Sequence, residues 1–171
     1  TNALLTSASG YIVEDPILLA GTQPATYGDV SARANNSAAI SLTSGTATIL
    51  TYDSERWDTD TIHSTASNTG RLTATTAGKY QITGHAEFAS NINAGRRRLE
   101  ILLNGATVIS SQDCPFNTAT PTDAVRCSIT THYNLAATDY VELRANQTAS
   151  ATLNVNVSAN YSPEFEMVKA P

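Results

Sequence analysis

Polar and apolar residues alternate along most of the chain with the period of two that is typical of a β-strand. The clearest run, 79–88, places an apolar residue at every second position, namely Tyr80, Ile82, Gly84, Ala86 and Phe88. A second run, 153–161, alternates small and apolar residues with asparagine and serine. Apolar residues do not recur with helical spacing over any comparable length. The pattern therefore predicts an all-β protein.

Turn signals divide the chain into further short strands. Leu99, Ile101 and Leu103 precede Asn104 and Gly105, a dipeptide that strongly favours a type I′ hairpin. The next strand is therefore predicted at 106–111. Other predicted strands cover 46–52, 71–75, 125–133, 140–146 and 165–168. Many short strands joined by turns are typical of a β-sandwich or a β-barrel.

Residues 1–30 have a different pattern from the rest of the chain. Three short apolar clusters alternate with polar residues and with Asp-Pro and Gln-Pro breaks, so the segment cannot bury its clusters against itself. One interpretation is an extended arm, which at 3.3 Å per residue would reach about 100 Å. The other is an edge strand of the same domain. The candidate anchoring residues of the arm are Leu4, Leu5, Tyr11, Ile12, Ile17 and Leu18.

Composition narrows the classes of function. The chain has 171 residues, enough for one domain, here predicted over 31–171. Only 15% of residues are charged and the net charge is −5, which disfavours nucleic-acid binding. No apolar stretch approaches the length of a membrane span, so membrane insertion is not expected. With 25 Thr, 16 Ser and 13 Asn against two Lys, the polar surface is mostly neutral, as suits packed assemblies or sugar-facing sheets.

The two cysteines leave two alternatives open. Cys114 and Cys127 bracket a loop that contains Pro115 and Pro121. If the flanking strands are neighbours, a disulfide between them would stabilise the fold by about 3 kcal/mol in the chain-entropy model. Otherwise they are two buried thiols.

Several segments resemble one family. Residues 78–84, GKYQITG, resemble the G-x-Y-x-F-x-[FY] strand of the C1q/TNF-like domain, with Ile82 and Gly84 in place of its later aromatic residues. Residues 139–143 resemble that family's G-D-x-V-x-L strand, and 162–168 resemble its closing strand. The run 52–60 is similar to C1q-like modules of bacteriophage and bacterial proteins. The resemblance implies a ten-stranded jelly-roll sandwich that assembles as a homotrimer and works by binding, not catalysis.

An acidic cluster is the candidate metal site. Asp53, Asp58 and Asp60 lie close together in a predicted loop with Glu55 and His63, and crowded oxygen ligands suit calcium. The spacing is not that of an EF-hand loop. The alternative is a solvated loop in which Arg56 pairs with an acid. No other cofactor is predicted.

Four residues are candidates for binding or subunit contact. Trp57, the single tryptophan, is either an interface or core residue or a platform on which a sugar stacks. Arg56 lies beside it. Arg96 and Arg98 flank a third arginine at the start of a strand, so neighbouring guanidinium groups are expected on opposite faces. They would form ion pairs across subunits or a three-fold anion site.

The histidines form no catalytic pattern. His63, His85 and His132 lie in no nucleophile elbow, metal-binding helix motif or comparable arrangement, so no catalytic residue is predicted. His85 and Glu87 share a strand face, so one interpretation is an ion pair or hydrogen bond between them. The other is an outward polar pair at the surface of the sandwich or trimer.

Together these features predict a non-enzymatic virion structural protein on the surface of a phage particle. It would be a trimeric capsid decoration protein of a tailed bacteriophage, anchored to a capsid or other virion protein through residues 1–30. The alternative is the receptor-binding tip of a tail fibre, or a bacterial adhesin, that recognises a host glycan or protein. Neither hypothesis requires nucleic-acid binding.

Overall fold

A computed structural model describes residues 30–93, 95–115 and 123–171. The arm predicted for residues 1–30 lies outside these ranges except for its last residue, so the arm and its anchoring residues stay predictions. Within the described residues every regular element is a strand. The all-β prediction is confirmed.

In the part of the chain that the structure describes, twelve strands form two antiparallel sheets, two more strands than the family resemblance implies. Some are very short, and the pattern of alternation cannot reveal a strand of two or three residues. The strands are β1 (Ser31–Asn35), β2 (Ile40–Leu42), β3 (Thr48–Ile49), β4 (Ser54–Asp58), β5 (Arg71–Thr73), β6 (Gly78–Phe88), β7 (Arg97–Leu103), β8 (Thr107–Asp113), β9 (Val125–Leu135), β10 (Tyr140–Gln147), β11 (Leu153–Asn156) and β12 (Glu164–Lys169).

The larger sheet is built around the long strand β6. On one side β6 pairs with β9 along its whole length, and on the other it pairs with β12 and then with β11. From β12 the sheet continues through β1 to β4, and from β11 to β2. The smaller sheet runs β8–β7–β10, and both β3 and β5 pair with the remaining edge of β10.

The core lies between the sheets and uses the predicted apolar face of β6. Tyr80, Ile82, Ala86 and Phe88 are buried there. Gly84 replaces an aromatic residue of the family pattern, and a Cβ added to it would lie 2.6 Å from the methyl carbons of Leu143 in the other sheet. The missing side chain therefore lets Leu143 pack against the β6 backbone.

The predicted hairpin is present. Asn104 and Gly105 have φ values of 50° and 72°, the two positive values that a type I′ turn requires. The Asn104 amide also donates to Asp139 Oδ1 over 2.8 Å, while its own oxygen accepts from the backbone nitrogen of Tyr140. These contacts tie the β7–β8 hairpin to the turn before β10.

Two predictions of local structure were wrong. The strand predicted at 153–161 ends at Asn156, and the chain then turns through 157–163, where Ala159 takes a φ of 42°. The apparent alternation continues through this turn although Val157 and Tyr161 are exposed. The acidic segment predicted as a loop contains strand β4, which pairs with β1. Its residues are too polar to show an apolar face.

The two ends of the sandwich are different. At one end, which we call the terminal end, Val30 O accepts from Lys169 N over 2.9 Å and Lys79 O accepts from Ala170 N over 2.8 Å. The chain therefore enters and leaves the domain side by side. At the other end a disulfide joins Cys114, just after β8, to Cys127 in β9, with 5.4 Å between the Cα atoms. This is one of the two alternatives that the sequence left open.

Candidate interaction surface

The side of the larger sheet that points away from the core is the candidate interaction surface, and we call it the outer face. Strands β4, β1, β12, β6 and β9 lie side by side across it. Its side chains divide into two regions with different chemistry. The charged half lies on β4, β1 and β12. The neutral strip is the middle part of β6 and β9, between Lys79 near the terminal end and the Glu87–Arg126 pair near the disulfide end.

The charged half is centred on a buried carboxylate. Glu164 is only 1% exposed, and it accepts hydrogen bonds from Arg33 Nε, from Arg56 Nε over 3.1 Å and from Arg56 Nη2 over 2.9 Å. Arg33 Nη1 also lies 3.4 Å from Glu166 Oε2. The prediction that Arg56 pairs with an acid is confirmed, although the partner comes from β12 and not from the neighbouring acidic residues.

The neutral strip is a run of outward-facing residues without Asp, Glu, Lys or Arg, and charged residues bound it at both ends. Lys79 lies opposite Asn134 at one end, and Glu87 lies opposite Arg126 at the other. On β6 and β9, outward-facing residues oppose each other across the strand pair, as in the contact of 3.2 Å between the hydroxyls of Thr83 and Thr130. The strip consists of Gln81, Thr83, Ser128, Thr130, His132 and Asn134. The strip is therefore a band of side chains that form hydrogen bonds, and none of them is a lysine, arginine, aspartate or glutamate.

The turn at 157–163 is fixed from both sides. Arg33 Nη2 donates to Asn160 O over 3.1 Å, and Arg56 Nη2 donates to Ala159 O over 3.2 Å. From the opposite side, Ser158 and Tyr161 donate to Glu87. The turn is therefore a rigid part of the outer face, between the charged half and β6.

Glu87 accepts four hydrogen bonds, two of them from side chains of the turn. Burial disfavours the charged carboxylate, but donors from four side chains outweigh that effect and lower the pKa of Glu87 to about 2. Donor-to-oxygen distances run from 2.8 to 3.1 Å, and the donors are Ser158, Arg126, Asn156 and Tyr161. Glu87 is therefore ionised throughout the neutral pH range.

His85 and Glu87 both lie on the outward side of β6, as predicted, but the ion pair or hydrogen bond considered between them is not present in the described part of the chain. Glu87 bonds to Arg126 on the neighbouring strand, because two residues on one face of a strand are farther apart than residues opposite each other across the ladder. The pKa of His85 is lowered, first by burial and second by the positive charge of Arg33. His85 thus favours the neutral imidazole.

Trp57 lies at the edge of the charged half and outside the core. It is 40% exposed, its Nε1 donates to Ser31 Oγ over 3.2 Å, and the Arg33 guanidinium lies 5.8 Å from its ring centroid. Together with Arg56 and Asn160 it lines an open pocket of about 250 Å³. Core burial is excluded for Trp57, and its roles in subunit contact or sugar binding stay predictions.

Arg96 and Arg98 lie away from this face. Arg98 Nε and Nη2 donate to the two oxygens of Asp113 over 2.7 and 2.9 Å, so this ion pair forms within one chain and not across subunits. Arg96 lies near the disulfide end, with Nη2 3.5 Å from Asn146 Oδ1. Arg97, between them, is fully buried and donates to Gly95 O. Within one chain the three arginines therefore share no anion site. Ion pairs across subunits and a three-fold anion site stay predictions.

The three predicted calcium ligands do not converge. Asp53 binds the backbone and hydroxyl of Ser37, and Asp60 accepts from Thr75. Asp58 accepts from backbone nitrogens of the loop that follows it. In the described ranges no three His, Cys, Asp or Glu side chains are grouped as a metal site. Asp53 precedes strand β4 and Asp58 is its last residue, so the extended strand moves Asp53 away from the other two and removes the crowding that the sequence suggested.

His63 has a structural position in the same segment. It is buried, with Nδ1 2.8 Å from Glu55 Oε1 and Nε2 3.1 Å from Thr69 O. Both ring nitrogens are therefore engaged inside the protein, and they hold the 59–70 loop against β4.

A second exposed feature, missed in the sequence, lies at one side of the sandwich. Val108 on β8 and Tyr133 on β9 are 43% and 37% exposed. Val108 lies six residues before Cys114, and Tyr133 lies six residues after Cys127. The disulfide therefore places them at about the same distance along the length of the sandwich, on the edge strands of the two sheets. We call these two residues the edge patch.

The described residues include no helix that is long and apolar enough to cross a bilayer.

Comparison with known proteins shows likeness in fold only. No family model matches the chain, and no curated protein sequence matches it. Among solved structures, murine APRIL at pH 5.0 is similar with a TM-score of 0.60 and 10% identity, over 84% of this chain and 99% of that one. The globular domain of zebrafish complement 1qA protein has a TM-score of 0.55 and 15% identity, over 81% and 94%. Eiger TNF from S. frugiperda has a TM-score of 0.54 and 15% identity, over 83% and 92%.

These likenesses confirm the predicted fold. The chain has a C1q/TNF-like jelly roll, an antiparallel β-sandwich that covers nearly the whole length of each compared structure. The similarity to phage and bacterial modules, the trimer and the arm stay predictions.

Proposed function

We propose that this chain is a non-enzymatic structural protein that assembles as a homotrimer on the surface of a phage particle. In this proposal residues 1–30 attach the trimer to the capsid as a decoration protein. The C1q/TNF-like fold supports the assembly, and the neutral strip is the observation that carries it.

A three-fold axis determines which residues can lie beside it. Each residue near the axis meets two copies of itself, so a charged residue there would repel its copies. The neutral strip avoids this, because Thr, Ser, Gln and Asn can both donate and accept hydrogen bonds. We therefore place the neutral strip, the middle of β6 and β9, next to the axis and the charged half farther out.

A cyclic trimer also needs two different surfaces in contact at each interface. The outer face supplies one, and the edge patch supplies the other. Val108 and Tyr133 of one copy would pack onto the outer face of the next, close to the pocket beside Trp57. Aromatic side chains in such pockets commonly carry the binding energy. Glu164 is already satisfied within its own chain, so covering it leaves no unpaired charge.

The position of the chain termini suits attachment at one end. In a cyclic trimer all three copies point the same way, so three arms would leave together from the terminal end. The disulfide end would then project away from the particle. Three arms together would bind more strongly than one through their effective concentration.

Mass measurement in solution tests the assembly. Three chains of 18.1 kDa give about 54 kDa, and a monomer at micromolar concentration would overturn the trimer. Deleting residues 1–30 tests the arm separately. The truncated protein should remain a folded trimer and lose its attachment to the native particle, and attachment that persists would remove the arm from the proposal.

A receptor-binding tip or adhesin is the second candidate, favoured by the exposed Trp57 in its open pocket. An exposed indole ring is a common stacking surface for sugars. Saturable binding to host cells without affinity for the capsid would favour this second function. Capsid binding without host binding would favour the first.

A further inference from the structure

A polar pocket lies at the terminal end, apart from the outer face. It has a volume of about 340 Å³ and is formed by the loop 61–68, by β5 and by the start of β10. Five Ser and Thr side chains line it. The residues that carry the argument are Thr61, Asn68, Arg71, Thr138 and Tyr140.

The backbone around the pocket is strained. Thr61, Asn68 and Thr138 have φ values of 56°, 51° and 75°, in the left-handed region that β-branched residues rarely adopt. They are three of the six residues other than glycine with positive φ in the described part of the chain. Such strain costs about 1–3 kcal/mol per residue and concentrates at functional sites. Thr61 and Thr138, both β-branched, therefore hold their hydroxyl-bearing side chains at the pocket at a cost in backbone energy.

The pocket is also held rigidly. The Asp58 carboxylate accepts from the backbone nitrogens of Ile62 and His63 over 3.0 and 2.8 Å. His63 bridges Glu55 and Thr69, and Thr138 N donates to Ala74 O over 2.8 Å. A rigid lining loses little entropy when a ligand binds.

Arg71 supplies a planar donor at the pocket wall. Its guanidinium lies 4.0 Å from the Tyr140 ring centroid, and its Nε donates to Glu142 Oε1 over 3.0 Å. Among the described residues its two terminal amino groups make no hydrogen bond. The stacked guanidinium therefore presents two parallel donors in a fixed plane, while Glu142 already balances its charge.

We propose that this pocket binds a neutral saccharide. Two neighbouring sugar hydroxyls would accept from the amino groups of Arg71, and the Asn68 amide and the Thr61 and Thr138 hydroxyls would bind others. A carboxylate or phosphate suits the pocket less, since the carboxylate of Glu142 already balances the positive charge of Arg71. Every copy carries the whole pocket, so the inference does not depend on the trimer.

Titration of the full chain with sugars tests the proposal. The probes are D-glucose, D-galactose, D-mannose and N-acetyl-D-glucosamine, with D-glucuronate as the anionic comparison, followed by amide NMR. At least one neutral sugar should shift the amides of 61–68 and 138–140 with a millimolar dissociation constant. Arg71→Lys keeps the positive charge but removes the two parallel donors of the planar guanidinium, and it should weaken binding about tenfold. Asn68→Gly keeps the left-handed backbone and removes the amide, with a similar effect.

The matched control is Arg144→Lys, at a second arginine of the same sheet that pairs with Glu100 outside the pocket. It should bind sugar as the unaltered chain does. Four results would each overturn the proposal: binding by glucuronate alone, shifts only at residues outside the pocket, no binding by any neutral sugar, or binding by Arg71→Lys and Asn68→Gly that is as tight as that of the unaltered chain. Both variants are checked first by their thermal unfolding.

Discussion

The two regions of the outer face, the charged half and the neutral strip, differ in the charge of their side chains and in how that charge is balanced. In the charged half, Glu164 is 1% exposed and is surrounded by guanidinium groups from two other strands of its own chain. In the neutral strip, Thr83 and Thr130 contact each other and carry no charge. The difference indicates that charge lies where one chain can balance it, and neutral groups lie where identical copies are proposed to meet.

Placing a charge in the neutral strip should have the largest effect. Thr130→Asp would bring three carboxylates close to the proposed axis. At about 8 Å and an effective dielectric constant near 20, each pair costs about 2 kcal/mol. We expect the mass to fall from that of a trimer to that of a monomer, as measured by sedimentation at physiological salt.

The control for this variant is Thr46→Asp, the same change at an exposed turn between β2 and β3. It should remain trimeric. If Thr130→Asp also remains trimeric, the neutral strip does not lie at the axis. The difference in charge between the two regions would then not be explained by assembly.

Removing the charge of Glu164 should have the next largest effect, on folding and not only on assembly. Glu164→Gln leaves Arg33 and Arg56 without their shared carboxylate at a buried position. Removing one partner of a fully buried pair costs about 3–5 kcal/mol. Arg33 and Arg56 are 25% and 34% exposed, so we expect a loss at the lower end of that range. Denaturant unfolding of the truncated chain and of the full chain measures the loss.

Asp113→Asn provides the contrast, because it removes an exposed carboxylate from Arg98 on the other sheet. Exposed pairs contribute little, so its unfolding midpoint should hardly move. Equal losses in the two variants would show that burial does not distinguish Glu164 from a surface acid.

The fold was largely predictable, because its central strand is long and regular. The 79–88 pattern and the Asn104–Gly105 turn are each determined by residues that are close together in the sequence, and the structure has both where they were predicted. Strand β4 was missed since Arg56 and Trp57 are both exposed and hide the alternation. The 157–163 turn was missed because its residues continue the alternation of β11.

The candidate site was predictable only in part. Arg56 was expected to pair with an acid, but its partner Glu164 is 108 residues away in the chain, and no local pattern could identify it. The calcium prediction failed for the same reason. Closeness in sequence among Asp53, Asp58 and Asp60 did not become closeness in space once a strand extended between the first and the second.

Lowering the pH should have the smallest effect on the free energy of unfolding, and this effect should act specifically through Glu87. Its pKa of about 2 lies below the ordinary value of 4.5, so the folded state holds the charged form more firmly than the unfolded state does. The stability it contributes, at most about 3 kcal/mol, is present above pH 4.5 and is lost as the pH falls towards 2. Glu87→Gln should therefore show a shallower fall in the free energy of unfolding between pH 4.5 and 2. Parallel curves for the two proteins would mean that the turn at 157–163 depends on the charged half alone, with Glu87 adding nothing that acid can remove.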